Sequence, residues 1–286
     1  MSAISVKWPT SGNAITCPDG NVYNIGPKIG EGNFSVVFSA TDEWDNDLAV
    51  KILKPNGKLF EVVKDSFEKE KESLLRFRHP AVTHIYNAFI CENLFYIITE
   101  RCAYTVDDLI RQKGFNGISW IKPMAQSILQ AVAEIHKLGY VHRDIHLGNV
   151  FTSILRNVYA PLNNSSVIRF KLGDFGISRL VKDASPSGTM AKWMLPPEVI
   201  SPSDFHPFDI RIDIYHIGLL FLQMLRKSNL KFTNQEICEG APSRMALNLD
   251  CQYNKVLAKA LSPSPQDRHP SAIEFWHDLK SISIQA

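Results

Sequence analysis

The stretch Val141-His142-Arg143-Asp144-Ile145-His146-Leu147-Gly148-Asn149-Val150 sets two histidines, an arginine, an aspartate and an asparagine among apolar residues. Asp144 and Asn149 stand five positions apart, and Asp174 leads Asp174-Phe175-Gly176 a little downstream. Two carboxylates and an amide oxygen are hard ligands of the kind magnesium prefers. Metal-bound phosphates in turn need a cationic lysine and a backbone cradle beside them.

Both are present upstream. In Ile29-Gly30-Glu31-Gly32-Asn33-Phe34-Ser35-Val36-Val37 the glycines let backbone N–H groups approach phosphate oxygens, because no Cβ blocks the way. Ser35 stands where a third glycine would complete G-x-G-x-x-G and no helix follows, which argues against a dinucleotide fold. Lys51, in Ala49-Val50-Lys51, lies within an apolar strand and needs an acid or an anion as partner. Glu70, read as lying on the charged side of the next helix opposite Phe67, Leu74 and Phe77, can supply one.

Around these residues the periodicity changes once. The first third reads as strands: a D-G turn in CPDGNVYNI, a hairpin through KIGEGNFSVVFSATD and DLAVKILK, and a Glu-Asn turn in HIYNAFICENLFYIITE. One helix interrupts them between Glu61 and Phe77. Past about residue 105 the pattern is mainly helical. Ile121, Met124, Ile128, Leu129, Val132, Ile135 and Leu138 form one apolar face ending at Gly139; Ile212 to Leu225 is apolar nearly all round; a further helix is expected over Ser271 to Ile282. LRNVYAPLNNSSV reads as a surface insertion. A strand-rich lobe and a helical lobe joined near Glu100 to Thr105 leave a cleft, where ligands usually bind.

Composition narrows the function classes. With 286 residues, 45% hydrophobic and 21% charged, the chain can bury a sizeable core and is not disordered. A net charge of +2, with no basic run, gives no footprint for nucleic acid or anionic membrane. Five cysteines without C-x-x-C spacing suggest neither a disulfide framework nor zinc, and point to a reducing compartment. With no signal peptide and no run of about 18 apolar residues, a cytoplasmic, monomeric protein is expected.

Taken together and in this order, these motifs resemble the protein kinase superfamily over roughly residues 20 to 282. The resemblance implies an α+β, two-lobed fold: a small antiparallel sheet with one αC-like helix over 21–101 and a larger, mainly helical lobe over 102–286. One domain then spans 21–283, with 1–20 as a short extension. It implies ATP and magnesium as cofactors. Gly30 and Gly32, with Ile29, Glu31, Asn33, Phe34 and Ser35, would cover the phosphates. Lys51 would bind the α- and β-phosphates and pair with Glu70, Asp144 would be the catalytic base, and Asn149 and Asp174 would hold the metal. Thr99 falls at the gatekeeper position, and Glu100, Arg101 and Cys102 form the hinge for adenine, with Thr105 beyond it. Val37, Ala49 and Phe151 would sandwich the ring. Asp213, followed by Leu220 and Met224, resembles a buried acid of the αF helix. Arg268 would pair with Glu198, and Leu74, Ile85, His142 and Phe175 would form the column that registers the active state.

Three departures bear on the substrate. Ser35 replaces a loop glycine. The segment from Asn149 to Asp174 is about a dozen residues longer than the family's hairpin, read as an enlarged surface loop around Leu155 to Ser166. His146 stands where serine/threonine kinases carry lysine, and is expected to act as a partial cation whose contribution fades as pH rises. A histidine here also resembles aminoglycoside- and choline-type small-molecule kinases. Against that reading stand Arg143, the Pro196-Pro197-Glu198 acid with its distant arginine, and an activation segment carrying Ser185, Ser187 and Thr189. Gly188-Thr189 is serine/threonine-like, whereas Lys192-Trp193-Met194 is tyrosine-kinase-like. The resemblance therefore implies transfer of the γ-phosphoryl group to serine or threonine of proteins, itself included. The alternatives are a small-molecule phosphotransferase and a non-catalytic pseudokinase; the latter is disfavoured because no metal or lysine position is missing.

Overall fold

The structure, a computed structural model, describes residues 8–32, 35–53, 60–156, 166–176, 178–181 and 194–283. The chain forms two compact units, one of Met1–Arg78 with Thr83–Cys102 and one of His79–Val82 with Ala103–Ala286. The first is a sheet with one helix and the second is mainly helical, so the α+β class read from the sequence is the one observed.

In the first unit the strands are β1 (Ala14–Thr16), β2 (Val22–Glu31), β3 (Ser35–Thr41), β4 (Asp47–Leu53), β5 (Ile85–Cys91) and β6 (Leu94–Glu100), with α1 (Phe60–Arg76) between β4 and β5. They form one antiparallel sheet in the order β1-β2-β3-β4-β6-β5. β1 falls within the stretch read as an extension. The Glu92-Asn93 turn has both residues at positive φ, 47° and 62°, as a two-residue hairpin whose twist matches its strands requires.

Because side chains alternate along a strand, each face has a separate job. Leu48, Val50 and Ile52 of β4 point into an apolar cluster with Ala40, Tyr96 and Ile98, closed by Ile15, Tyr23, Ile25 and Phe89. Each fully buried side chain of this kind contributes about 1.5–3 kcal/mol. Register puts Val37, Ala49, Lys51, Ile97 and Thr99 on the other face. There α1 packs, with Phe60 and Phe67 ring centroids 5.0 and 5.3 Å from Phe95.

The second unit is built around α5 (Arg211–Arg226), nearly every residue of which is buried, as its all-round apolar sequence predicts. The long helix α3 (Gly117–Lys137) begins against its far end. A Cβ on Gly117 would lie 2.8 Å from the Met224 carbonyl oxygen, so only glycine allows this approach. The other helices are α2 (Val106–Ile110), α4 (Pro197–Ile200), α6 (Asn234–Cys238), α7 (Ala241–Leu247), α8 (Asn254–Ala260) and α9 (Ala272–Ser281). Short strands complete the unit: β7 (Tyr104–Thr105), β8 (Tyr140–Val141), β9 (Val150–Arg156), β10 (Ser166–Leu172) and β11 (Arg179–Leu180), in sheets ordered β10-β9-β7 and β11-β8. No helix among the described residues is long and apolar enough to cross a membrane.

The insertion is not a loop over its whole expected length. Leu155 and Ser166 lie within β9 and β10, which pair without a break from Val150↔Leu172 to Arg156↔Ser166. The physical reason is that Ile154 stands opposite Ile168 in this register, and a β-branched cross-strand pair favours continued pairing. Residues 157–165 lie outside the described residues.

One ion pair ties α4 to the chain's far end. Arg268 Nη1 and Nη2 each donate to a Glu198 carboxylate oxygen at 2.7 Å, with both side chains at 0% exposure. The guanidinium also donates to the carbonyls of Ser262, Pro263 and Arg211 and lies 4.6 Å from the Tyr215 ring centroid. Removing either partner strands the other charge without water. Glu198→Ala and Arg268→Ala should each cost about 3–5 kcal/mol in chemical denaturation, with the double variant costing clearly less than their sum. Additive losses would show that the two charges are not coupled.

Candidate active site

The residues singled out in the second unit sit on the connection between β8 and β9, held from below by α5. Asp213, at 0% exposure in the first turn of α5, accepts the backbone N–H groups of His142 and Arg143 at 2.8 Å each. Its second contact on Oδ2 is the His136 ring, 2.8 Å away, from the end of α3. His136 escaped the sequence reading, although a histidine in the last turn of an apolar helix was a usable signal. Burial alone would raise the Asp213 carboxyl; the His136 ring, His142 and the Arg143 N–H outweigh it and hold the group down to about 2. This carboxylate pins Arg143 in a left-handed conformation, φ 73°, that a non-glycine residue rarely adopts.

Beyond that anchor the loop closes on itself. Asn149 Nδ2 donates to the Asp144 carbonyl at 2.9 Å and to its carboxylate Oδ2 at 3.0 Å. Both partners are acceptors, so the amide nitrogen must face them and Asn149 Oδ1 is left as the outward hard oxygen. The Gly173 N–H donates to the Asn149 carbonyl at 3.0 Å, which ties the loop to the segment carrying Asp174. Asp174 is exposed, with φ 59°, and accepts the Gly176 N–H at 3.4 Å. Among the described residues no group of three or more His, Cys, Asp and Glu forms a metal cage. Asn149 and Asp174 instead fit the pattern by which magnesium is held through one or two carboxylates plus substrate phosphates.

Both histidines of the loop bind backbone in the same way. His142 Nδ1 accepts the Asp144 N–H at 3.3 Å, leaving Nε2 to donate to the Gly173 carbonyl at 3.2 Å. The His142 ring meets buried Phe175 edge-on at 4.8 Å, so these two members of the expected column are in contact. His146 Nδ1 accepts the Gly148 N–H at 3.0 Å, and its Nε2 lies 3.6 Å from Asp144 Oδ1. An imidazole that accepts at Nδ1 is neutral. Burial, reinforced by His142, pushes the His146 ring below its ordinary value against the pull of Asp174 and Asp107. This disfavours the lysine-like cation expected from the sequence: the ring is tucked against its own loop and only partly exposed to water.

In the first unit Lys51 Nζ lies 2.6 Å from Glu70 Oε1, with side-chain exposures of 17% and 4%. Glu70 is not on the charged side of α1. It shares the buried stripe Val63, Phe67, Glu70 and Leu74, whose spacings of three and four residues put them on one face. Gly30 and Glu31 pair with Val37 and Val36; the Gly32 N–H donates to the Ser35 carbonyl at 2.9 Å. A Cβ on Gly30 would make only ordinary contact with Val37, and one on Gly32 would meet nothing. Packing therefore does not demand these glycines. Ile29 is exposed and Ser35 is buried; Asn33 and Phe34 lie outside the described residues.

The remaining predicted positions are partly buried. Ala49 and Thr99 are register partners across β4 and β6, and the Glu100 carboxylate accepts the His84 N–H at 2.7 Å. Cys102 ends the first unit and Phe151 lies in β9. Thr105 caps α2, exchanging hydrogen bonds with Asp108 that occupy its hydroxyl in a local role. Ser185, Ser187 and Thr189 lie outside the described residues.

The sequence is similar to those of known proteins. The family model described as protein kinase domain matches residues 23–281. A "probable serine/threonine-protein kinase" of Clostridium acetobutylicum is 26% identical over 275 residues, covering 92% of this chain and 40% of that protein. The similarly named PknB of Bifidobacterium longum is 25% identical over 283 residues, covering 91% and 39%. Serine/threonine-protein kinase TAO2 of Rattus norvegicus is 23% identical over 260 residues, covering 87% and 20%. The chain spans about two fifths of the length of these bacterial relatives.

The Asp213 anchor carries a pH signature. Its folded carboxyl sits at about 2 against an ordinary 3.8, so its stabilisation is complete above about pH 4 and is lost as pH falls towards about 2. A shift of that size corresponds to on the order of 2 kcal/mol. Asp213→Asn should be less stable at neutral pH and should lose less further stability between about pH 4 and 2 than the wild type. Parallel stability curves for the two proteins would sink this assignment.

Proposed function

Since the chain belongs to the protein kinase family, we propose that it transfers the γ-phosphoryl group of ATP, with magnesium, to serine or threonine hydroxyls of proteins, its own chain among them. The observation that carries this reading is the bonded unit Asp144–Asn149–Gly173, which joins an acid suited to accept a hydroxyl proton to the Asn149 amide and to the segment that carries Asp174. Bound ATP and magnesium would supply the phosphoryl group and neutralise the charge that develops as it transfers.

The chain's own residues do the positioning. Lys51, held by Glu70, is suited to bind the α- and β-phosphates, and the lack of a Cβ at Gly30 and Gly32 lets the loop's backbone come close to them. Asn149 Oδ1 and the Asp174 carboxylate are suited to hold the metal. Asp144 orients the acceptor hydroxyl and takes its proton as the new oxygen–phosphorus bond forms and the bond from the γ-phosphorus to the bridging oxygen breaks, releasing ADP. Val37, Ala49 and Phe151 are half-buried apolar residues of the kind that contact a purine ring. The buried Arg268–Glu198 pair and the buried Arg143 favour a protein acceptor over a small alcohol, because both belong to the machinery that the resemblance ties to an activation segment.

Incubation of the purified protein with ATP and magnesium, followed by mass spectrometry, should find phosphate on serine or threonine of the chain or of myelin basic protein. Lys51→Met and Asp174→Ala should each lower the rate by at least about 100-fold. Undiminished transfer in either variant, or phosphate appearing on small alcohols alone, would overturn the proposal.

A further inference from the structure

His146 is the residue of the loop that the general scheme leaves without a task. Its ring is fixed from two sides. The Gly148 N–H donates to Nδ1 at 3.0 Å, so the proton of the neutral ring resides on Nε2. A Cβ on Gly148 would fall 3.0 Å from His146 Cε1 and 3.2 Å from Nδ1, tighter than most real side-chain contacts, so glycine at 148 gives the ring room to lie against the loop. In that pose Nε2 faces Asp144 Oδ1 at 3.6 Å, beyond hydrogen-bond length and within strong electrostatic reach. The other carboxylate oxygen, Oδ2, is taken by Asn149 at 3.0 Å. The carboxylate thus stands between an amide N–H and an imidazole N–H, at 17% side-chain exposure against 31% for His146.

We propose that His146 is a positioning residue: a neutral imidazole, locked by Gly148, whose Nε2–H sets the rotation of the Asp144 carboxylate and so aims one oxygen at the acceptor hydroxyl. A lysine here carries no acceptor for the Gly148 N–H and would bring a cation in place of an oriented dipole. The pair His146 and Gly148 therefore works as one device. This rests on the kinase reading above and specifies how its base is held.

Two substitutions separate the two ends of the ring. In His146→Asn, Oδ1 takes the place of Nδ1 and still accepts the Gly148 N–H in an Asx-type turn, but nothing reaches Asp144. In His146→Gln, the longer amide reaches the position of Nε2. The expected result, with myelin basic protein as acceptor, is a roughly 10-fold lower single-turnover rate for Asn with the KM for ATP and the melting temperature unchanged, and substantial recovery for Gln. His146→Lys should also be slower than the wild type, although lysine is the family's usual residue. Wild-type rates in the Asn variant, or a faster Lys variant, would overturn the inference while leaving the kinase reading intact; a wild type without transfer would sink the kinase reading. The ring itself can be read without turnover. Its 15N shifts at about pH 7 should report a neutral ring protonated at Nε2, and a cation or an Nδ1-protonated ring would overturn the inference in every case.

Discussion

A single buried carboxylate, Asp213, holds the second unit's chemistry in place. The backbone it binds is one that would not adopt its shape unaided: Arg143 at φ 73° costs about 1–2 kcal/mol in left-handed strain. Two charge-assisted bonds from consecutive N–H groups offset that cost. The result is a reversal in the chain at Arg143 that turns Asp144 out of the core while His142 stays in it. Every later contact depends on that reversal, from Asn149 on the Asp144 carboxylate to Gly173 on the Asn149 carbonyl. An apolar helix carries the anchor because only a fully packed element keeps a carboxylate at a fixed point without solvent.

In the first unit the equivalent constraint is strand register. Alternation along β4 sends Leu48, Val50 and Ile52 into one core and Ala49 and Lys51 to the other face, and a one-residue slip would exchange them. The sheet's apolar core therefore specifies, with no contact to the site, which face Lys51 occupies. Helix α1 then brings Glu70 to that face through the same stripe that buries Phe67 and Leu74.

Much of this is legible in the sequence. Long periodic segments declared themselves: α1, α3, α5 and α9 lie where their apolar spacing puts them, and the Glu-Asn turn closes its hairpin. What escaped was of three kinds. The short helices α2 and α6 bury too little to show a stripe, yet their Thr105–Asp108 and Thr233–Glu236 capping boxes were visible as T-x-x-D and T-x-x-E. Glu70 departs from its expected face because charge alone suggests exposure, whereas a carboxylate paired with a lysine can occupy a buried stripe. The state of His146 was unreadable in principle. A residue letter carries no tautomer, and it is the Gly148 N–H that selects one.

The Arg268–Glu198 and Lys51–Glu70 pairs argue for how structure and function divide such interactions. Arg268 has five N–H donors, and five hydrogen bonds account for them: two to Glu198 and three to carbonyls. Nothing further can bind there, and at 0% exposure nothing could arrive. Lys51 also sits against a buried acid but keeps 17% of its side chain exposed, and its ammonium is a compact charge on a flexible stem. A pair closed on every side can only hold the fold together. A pair that keeps part of its lysine exposed can also meet an anion, with the acid beneath it as a fixed counter-charge.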